Sequence, residues 1–382
     1  MRIAWITTGF VKDENDFGGI ASIHNLAKEL SSFSDIELTI FALYYPIGIR
    51  EYKFFDAKVY TFRKKGMLSL EVPKFDKLRA WLNCIKKFNQ ENAMERFDII
   101  HSIWSGESGY VASYLSKKHQ IPLITSICGG EVAEIPQINY GSRLKLFQKY
   151  FVGKTFKQAK VIGVGSDYIN EKIQNYYGAG ISSKTRKIPF GADENIFYPF
   201  KNLNVEKSIF KLINIATAFP VKSHKDLFNA FKIVVGKFPG IILECYGLDE
   251  KNTLKEIVVE MDLNNNIRLN GYIGYEKIPS VLNDAGIFVL SSLYESQNMA
   301  ILEAAFCGLP VVSADVGIAR EITSNIVKAG DYKTLADRII YVLENYDAER
   351  KKAEDNLTSL RERFSLKASA EKFYEMYKSF IK

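Results

Sequence analysis

The sequence predicts an α/β protein built from two doubly wound domains. Short apolar runs alternate along the chain with stretches of helical periodicity, a pattern typical of parallel strands whose sheet is covered by helices on both faces. Ten runs are predicted strands: residues 3–6, 38–43, 99–103, 122–127, 161–164, 212–216, 241–246, 267–272, 287–290 and 311–313. Their number favours two sheets over one. Their uneven spacing does not fit the eight regular units of a TIM barrel, the alternative architecture.

The domain boundary is predicted in residues 189–199, where proline and glycine interrupt the chain and no apolar periodicity continues. A chain of 382 residues is too long for one ordinary core, and its length favours two or three domains. We therefore predict a first domain over residues 1–190 and a second over residues 191–364. Apolar residues at helical spacing in residues 365–382 predict a final helix.

Composition places the chain among globular proteins. No apolar run approaches the ~18 residues of a membrane-spanning helix, and the first strand begins at the N-terminus without a signal-peptide pattern. The four cysteines are scattered, which is typical of small buried residues in a reducing compartment, so we expect a cytoplasmic protein. The net charge of +7 fits an acidic membrane surface or simply a lysine-rich chain. Because no nucleic-acid-binding motif accompanies it, we expect no nucleic-acid partner.

Two glutamates eight positions apart, Glu295 and Glu303, mark the most informative stretch, SSLYESQNMAILEAAFCGLP at residues 291–310. Residues 299–306 are mostly good helix formers, Gly308 stands where a left-handed C-terminal cap belongs, and a proline follows. We therefore expect Glu295 on a loop after a strand and Glu303 inside the next helix. Free N–H groups at a helix N-terminus favour a phosphate, and flanking carboxylates suit sugar hydroxyls. An isolated pair of this kind is more often one surface and one solvated glutamate.

The whole stretch resembles the E-x7-E signature of the retaining glycosyltransferases of family 4. The similarity continues through LEAAFCGLPVV at residues 302–312, which resembles the family's LEAMACGLPVV, and reaches Gly317 and Glu321. Residues 189–199 resemble the family's PNGVD segment, with Phe190 where asparagine is usual. The resemblance implies the GT-B fold, in which two Rossmann-like domains face a cleft and the C-terminal helix, here residues 365–382, crosses back to the first domain.

The resemblance also implies roles for the residues of this stretch. Glu295 contacts the donor sugar and is the candidate catalytic residue, whereas Glu303 contacts the ribose. The residues between them bind the donor diphosphate: Ser296, Gln297, Asn298, Met299 and Ala300.

A glycine pair, Gly18 and Gly19, follows the first strand and opens a helix. Taken alone it is an ordinary helix start, but it resembles the GG loop of the same family, which implies contact with the donor. No G-x-G-x-x-G fingerprint follows the strand, which argues against a dehydrogenase.

Lys222 lies in a segment that resembles the family's R-x4-K-G, whose two cations neutralise the donor diphosphate. Thr217 stands at the arginine position. Since a charge-assisted hydrogen bond contributes roughly 1.5–3 kcal/mol, its loss needs compensation. Either Lys225 or Lys65 supplies it, or the helix N–H groups carry more of the diphosphate.

Residues 125–131, TSICGGE, resemble the family's T-x-H-G-x-D, with Cys128 at the histidine position and Glu131 at the aspartate position. Nothing in the sequence marks a lowered thiol pKa, so Cys128 is predicted to be a packed residue rather than a nucleophile. Together with Gly129 these residues are candidates for contact with the donor sugar or acceptor. His101, at a strand end, is a further candidate, although packing explains it equally well.

No histidine spacing or D-x-D run indicates a metal site, so we expect no essential divalent ion and no cofactor beyond the nucleotide-sugar donor substrate. Two stretches are both basic and aromatic, residues 77–88 and 143–151. They are either ordinary surface helices or contacts with an anionic membrane at its inner face. Both lie in the domain that binds acceptors in the family, which favours a lipid-linked acceptor.

These features predict a cytoplasmic, metal-independent, retaining glycosyltransferase. Its donor would be a UDP- or GDP-sugar and its acceptor a glycan or a lipid-linked glycan, as in the biosynthesis of surface polysaccharide, lipopolysaccharide, capsule or glycolipid. Two alternatives stay open: a catalytically silent subunit that binds sugar nucleotides, and a GT-B sugar-nucleotide epimerase.

Overall fold

The computed structural model describes residues 1–17, 20–48, 50–63, 72–200, 210–250 and 252–381. These residues form two compact units, one of residues 1–191 with 369–382 and one of residues 192–368. The chain enters the second unit between Gly191 and Ala192 and returns to the first within its last helix. No helix in the described ranges combines the length and the apolar character that crossing a bilayer requires.

The first unit is built on one sheet, to which the described residues contribute eight strands. These are β1 (Arg2–Gly9), β2 (Glu37–Tyr45), β3 (Arg50–Phe54), β4 (Ala57–Thr61), β5 (Ile99–Ile103), β6 (Leu123–Ser126), β7 (Val161–Val164) and β8 (Thr185–Lys187). Their spatial order is β3-β4-β2-β1-β5-β6-β7-β8. All neighbours are parallel except the β3–β4 hairpin.

Six helices of the described chain connect these strands: α1 (Ala21–Ser31), α2 (Lys74–Met94), α3 (Glu107–His119), α4 (Leu146–Gln158), α5 (Asp167–Tyr177) and α6 (Ala179–Ser182). Residues 3–6 of β1 are completely buried. A strand that is covered on both faces carries apolar residues in succession rather than in alternation, which is why the sequence shows this strand as a continuous apolar run.

The second unit contains a six-stranded parallel sheet in the described residues, in the order β11-β10-β9-β12-β13-β14. Its strands are β9 (Lys211–Ile215), β10 (Ile242–Tyr246), β11 (Ile267–Gly271), β12 (Ile287–Leu290), β13 (Val311–Ala314) and β14 (Ile326–Val327). This is the 3-2-1-4-5-6 order of a doubly wound fold. The order reverses between β9 and β12, and ligands of such folds bind at the carboxyl ends of the strands at that point.

The helices of the second unit, as described, are α7 (His224–Lys237), α8 (Thr253–Glu260), α9 (Ile278–Asn283), α10 (Met299–Phe306), α11 (Ala319–Ile322), α12 (Tyr332–Glu344), α13 (Tyr346–Asp355) and α14 (Leu357–Phe364). Helix α7 packs Leu227, Phe228 and Phe231 into a core that also holds Leu243 and Val289 of the sheet.

The final helix, α15 (Leu366–Lys378), begins in the second unit and belongs to the first from Ser369 onward. Tyr377 near its end is completely buried, and its hydroxyl accepts a hydrogen bond from Trp5 Nε1 at 3.1 Å. The return of the tail to the first domain, which the resemblance implies, is confirmed.

The predicted fold class is confirmed, and each of the ten predicted runs forms a strand. Among the described residues, four strands were missed: β3, β4, β8 and β14. Three of these lie at a sheet edge, where a strand needs no apolar run because one side faces solvent. β8 reads Thr-Arg-Lys, and β14 has only two residues, so neither carries an apolar signal.

Candidate active site

The loop between β12 and α10 carries Glu295, and α10 carries Glu303, as the sequence predicts. Asn298 begins the helix as its N-cap: its side chain accepts the Ile301 N–H at 2.9 Å, and its own φ is +76°. Gly308 follows the helix with a φ of +74°. Asparagine and glycine tolerate this left-handed backbone better than other residues, which explains their positions at the two ends of the helix.

Lys222 and Glu295 form an ion pair, with 2.7 Å between Lys222 Nζ and Glu295 Oε1. The Ser292 hydroxyl donates to the same oxygen at 2.7 Å. Glu295 is largely buried, 9% exposed, so the pair is less screened than an ordinary surface salt bridge. The two donors fix the orientation of the Glu295 carboxylate.

The strand order brings this pair together. Lys222 ends a short 3-10 turn after β9, whereas Glu295 follows β12, and these strands are neighbours where the order reverses. Two further hydrogen bonds join the loops: the Leu293 N–H donates to the Val221 carbonyl at 2.8 Å, and the Ser291 hydroxyl donates to the Lys222 carbonyl at 2.9 Å. The sequence predicts both residues at the site but not their contact.

Gly317, which the sequence resemblance includes, holds the Glu295 loop in place. Its φ is +57°, and a Cβ atom there would lie 2.4 Å from the Gln297 carbonyl oxygen and 2.9 Å from Glu295 Cβ. The neighbouring Ile318 N–H donates to the same carbonyl at 2.9 Å. Any side chain at position 317 would therefore displace the loop.

Glu303 is buried, 5% exposed, and burial raises the pKa of its carboxyl group to about 8. No described residue donates a hydrogen bond to this carboxyl group. At neutral pH it is therefore mostly protonated, because an ionised carboxylate without donors is costly in a dry environment. Such a group ionises readily once a ligand supplies hydroxyl donors.

His224, at the start of α7, is a neighbour that the sequence did not single out. It is buried, its Nε2 has no partner among the described residues, and burial together with the nearby Lys222 lowers its pKa to about 4. The imidazole is therefore neutral.

Some of the other residues predicted to bind the donor substrate lie among the described residues, and some lie outside them. Gln297 is buried, and Ser296, Met299 and Ala300 are partly buried at the start of α10. Of the two lysines proposed to compensate for Thr217, Lys225 is exposed on α7. Lys65, like Gly18 and Gly19, lies outside the described residues.

In the first unit, Glu131 organises its own loop. Its buried carboxylate accepts the N–H groups of Ser105 and Cys128 at 3.2 Å each and that of Gly129 at 2.7 Å. Burial raises the pKa of Glu131 even though these donors lower it. Burial also raises the pKa of the Cys128 thiol, which keeps the sulfur protonated. Of the candidates in this segment, Gly129 and Glu131 line a cleft.

Among the described residues, His101 is not part of the cleft lining, and its contacts are those of a packed side chain. It is completely buried, with Nδ1 2.7 Å from the Tyr377 hydroxyl and Nε2 2.8 Å from Ser126 Oγ. Because the tyrosine hydroxyl already accepts from Trp5, its proton goes to Nδ1, and Nε2–H donates to Ser126. Burial lowers the pKa of His101 to about 3, so the ring is neutral. The sequence missed this because Tyr377 lies far along the chain.

The cleft of the first unit has a volume of about 1270 Å³ at the carboxyl ends of the central strands. Glu107 lines it and accepts three hydrogen bonds: from Tyr44 Oη at 2.5 Å, Lys77 Nζ at 2.7 Å and Gln148 Nε2 at 3.1 Å. Trp104, with a φ of +67°, also lines the cleft. Aromatic rings and fixed polar groups of this kind suit a sugar.

In the described part of the chain, no group of three or more His, Cys, Asp or Glu side chains is arranged to hold a metal ion.

Comparison with known proteins identifies similar sequences and folds. Residues 197–359 match the family model described as glycosyl transferases group 1. An uncharacterised glycosyltransferase of Methanocaldococcus jannaschii is 32% identical over 185 residues, which cover 46% of this chain and 44% of that protein. The aligned part is thus less than half of that relative. A UDP-Gal:alpha-D-GlcNAc-diphosphoundecaprenol alpha-1,3-galactosyltransferase of Escherichia coli is 22% identical over 268 residues, 66% of this chain and 67% of that protein.

Among solved structures, a sucrose-phosphate synthase from Thermosynechococcus elongatus superposes with a TM-score of 0.79 at 19% identity, covering 99% of this chain and 98% of that one. The likeness at this identity concerns the fold. The second unit of this chain is therefore similar to the glycosyl transferases group 1 over residues 197–359, and the chain as a whole has the GT-B fold.

Proposed function

We propose that the protein is a retaining glycosyltransferase that moves a sugar from a UDP- or GDP-sugar to a glycan or lipid-linked acceptor. The observation that carries this proposal is the Lys222–Glu295 pair beside the N-terminus of α10. A cation, helix N–H groups and an oriented carboxylate then lie together at the carboxyl ends of adjacent strands. This combination suits an anionic leaving group attached to a polyhydroxylated ring.

The donor diphosphate would bind at the start of α10. The N–H groups of Met299 and Ala300 have no acceptor among the described residues, and the helix dipole favours an anion there. Lys222 would turn from Glu295 toward the diphosphate, which frees the Glu295 carboxylate for the sugar hydroxyls. Stabilising the departing diphosphate is then the main electrostatic contribution to catalysis. The diphosphate itself would take the acceptor proton.

Glu303 would bind the ribose. Two ribose hydroxyls supply the donors that its buried carboxyl group lacks, and binding would lower its pKa from about 8. Binding of the nucleotide and ionisation of Glu303 are thereby coupled.

The acceptor would bind in the cleft of the first unit, beside Trp104 and Glu107. The name of the Escherichia coli relative describes a lipid diphosphate acceptor, and this favours an acceptor of that class. We place the enzyme in the cytoplasm, in the assembly of a surface polysaccharide such as lipopolysaccharide or capsule. We also propose that it needs no divalent metal.

One experiment separates this proposal from its alternatives. Nucleotide sugars are screened by thermal shift, since a ligand of the native state raises its stability, and each hit is incubated with and without a lipid-linked glycan acceptor. A glycoside that keeps the anomeric configuration of the donor, formed in EDTA, supports the proposal. An isomerised sugar released without acceptor indicates an epimerase. A bound donor that is never turned over indicates a silent subunit. The replacements at Thr217 and Cys128 leave this alternative open, whereas the intact pair of Glu295 and Glu303 argues against it.

A further inference from the structure

Helices α2 and α4 together expose seven large apolar side chains; Met94 ends α2, and the other six lie in the first half of each helix. On α2, Phe75, Leu78 and Leu82 are 88%, 53% and 58% exposed, and on α4, Leu146, Phe147 and Tyr150 are 85%, 77% and 50% exposed. We refer to these six residues as the α2–α4 face. Soluble proteins rarely leave large apolar side chains grouped on their surface, and such groups mark interaction sites.

The two helices that carry these residues are in contact with each other. Phe75, Leu78 and Leu82 are spaced to share one side of α2. The two helices pack through Trp81 and Phe151, whose ring centroids are 5.6 Å apart. They also share one acceptor, because Lys77 of α2 and Gln148 of α4 both donate to Glu107.

The charge around this face is strongly positive. Residues 135–166, which include all of α4, contain no Asp or Glu, whereas Lys145, Lys149 and Lys154 are exposed there. On α2, Lys74, Arg79 and Lys86 are exposed, and Asp76 is the acidic residue of its first four turns. Exposed apolar side chains among cations are complementary to lipid chains beneath anionic headgroups.

We propose that the α2–α4 face docks on an anionic lipid bilayer, with its apolar side chains in the acyl–headgroup boundary and its lysines among the headgroups. A second copy of the chain would meet the same cations with its own, which like-charge repulsion opposes. Docking itself does not depend on the glycosyltransferase chemistry.

Docking would also place the acceptor site beside the membrane. This consequence rests on the proposed function. Lys74, Lys77 and Gln148 line the cleft and belong to the same two helices. The cleft would therefore open beside the membrane surface, where the reacting end of a lipid-linked acceptor lies. A water-soluble acceptor would need no such surface.

The test is sedimentation of the full chain with vesicles of phosphatidylcholine alone and of phosphatidylcholine mixed with phosphatidylglycerol. Binding is expected to the mixed vesicles and to weaken as salt is added, because salt screens the lysines. Leu146→Ser combined with Phe147→Ser should reduce binding by about tenfold or more, given the transfer free energy of two large apolar side chains. Lys145→Gln with Lys149→Gln should reduce it by about fivefold per charge on mixed vesicles only.

The control is Val259→Ser combined with Tyr272→Ser, which removes apolar side chains that are 56% and 64% exposed in the second unit. Its binding should equal that of the wild type. The proposal is overturned if the wild type does not bind the mixed vesicles, or if the α4 variant binds as well as the control. It is also overturned if the wild type forms a concentration-dependent dimer but does not bind vesicles, and the α4 substitutions abolish that dimer. The face would then be an interface between two copies of the chain. Because no donor is present, this result is independent of whether the protein transfers sugar.

Discussion

Lys222 and Glu295 are joined at 2.7 Å across two loops that follow neighbouring strands of the second sheet. The two residues are far apart in sequence, and each is the partner that fixes the other before any ligand arrives. In the proposed function the two residues would separate when the donor binds, with the cation turning to the diphosphate and the carboxylate to the sugar.

Lys222→Ala should weaken binding of the nucleoside diphosphate by about ten- to a hundredfold, the equivalent of one charge-assisted hydrogen bond. Binding of the matching nucleoside, which has no phosphate, should change little. Titration calorimetry with both ligands measures the difference. Lys232→Ala, at an exposed position of α7, is the control and should leave both affinities unchanged. A Lys222→Ala protein that keeps the wild-type preference for the diphosphate would show that Lys222 does not bind it.

The raised pKa of Glu303 predicts that nucleotide binding depends on pH. The free carboxyl group has a pKa of about 8, and the proposed complex needs it ionised, so binding releases a proton below that pH. Affinity should therefore rise with pH, at most about tenfold per unit, and level off above about pH 8. Glu303→Gln should bind more weakly and lose this dependence. Equal slopes in the two proteins would exclude the ribose assignment.

The same residue affects the stability of the ligand-free protein. Its pKa is raised on folding from an ordinary value of 4.5 to about 8. The folded state therefore holds a proton that the unfolded state has lost, and the resulting stability falls as the pH rises from 4.5 through 8. Glu303→Gln cannot ionise and should lack this decline. Urea unfolding at several pH values measures it.

Gly317→Ala should lower both the free energy of unfolding and the donor affinity. The added Cβ would lie 2.4 Å from the Gln297 carbonyl at a φ of +57°, so the loop that holds Glu295 must move. We expect a loss of about 1–3 kcal/mol, typical of a strained left-handed residue. Gly236→Ala is the control, because that glycine lies within α7 with open space around it. It should be stabilising by up to about 1 kcal/mol. Equal effects of the two substitutions would contradict the role given to Gly317.

Local sequence signals predicted the parts of the site that are set by neighbouring residues. The helix Met299–Phe306, its end at Gly308 and the positions of Glu295 and Glu303 all follow from residues within one short stretch. What the sequence did not reveal depends on strand order. The Lys222–Glu295 contact requires β9 beside β12, which no local pattern specifies.

The role of His101 likewise depends on a residue that is distant in the sequence. A histidine at the end of a strand is equally consistent with ligand contact and with packing. The outcome is decided by Tyr377, which reaches it only because α15 returns to the first unit. The cleft residues were missed for a related reason: Tyr44, Lys77, Glu107 and Gln148 come from separate elements and share no motif.

The most direct test of the account is the turnover of Glu295→Gln with a matched donor and acceptor. Glutamine keeps the size of the side chain and most of its hydrogen bonds but removes the charge beside the reacting sugar. Donor affinity should be unchanged or slightly higher, since Lys222 no longer has an anionic partner. Turnover should fall by about a hundredfold, which corresponds to roughly 2.7 kcal/mol of transition-state stabilisation. A protein that folds, binds its donor and turns over at nearly the wild-type rate would contradict the assignment of Glu295 to catalysis.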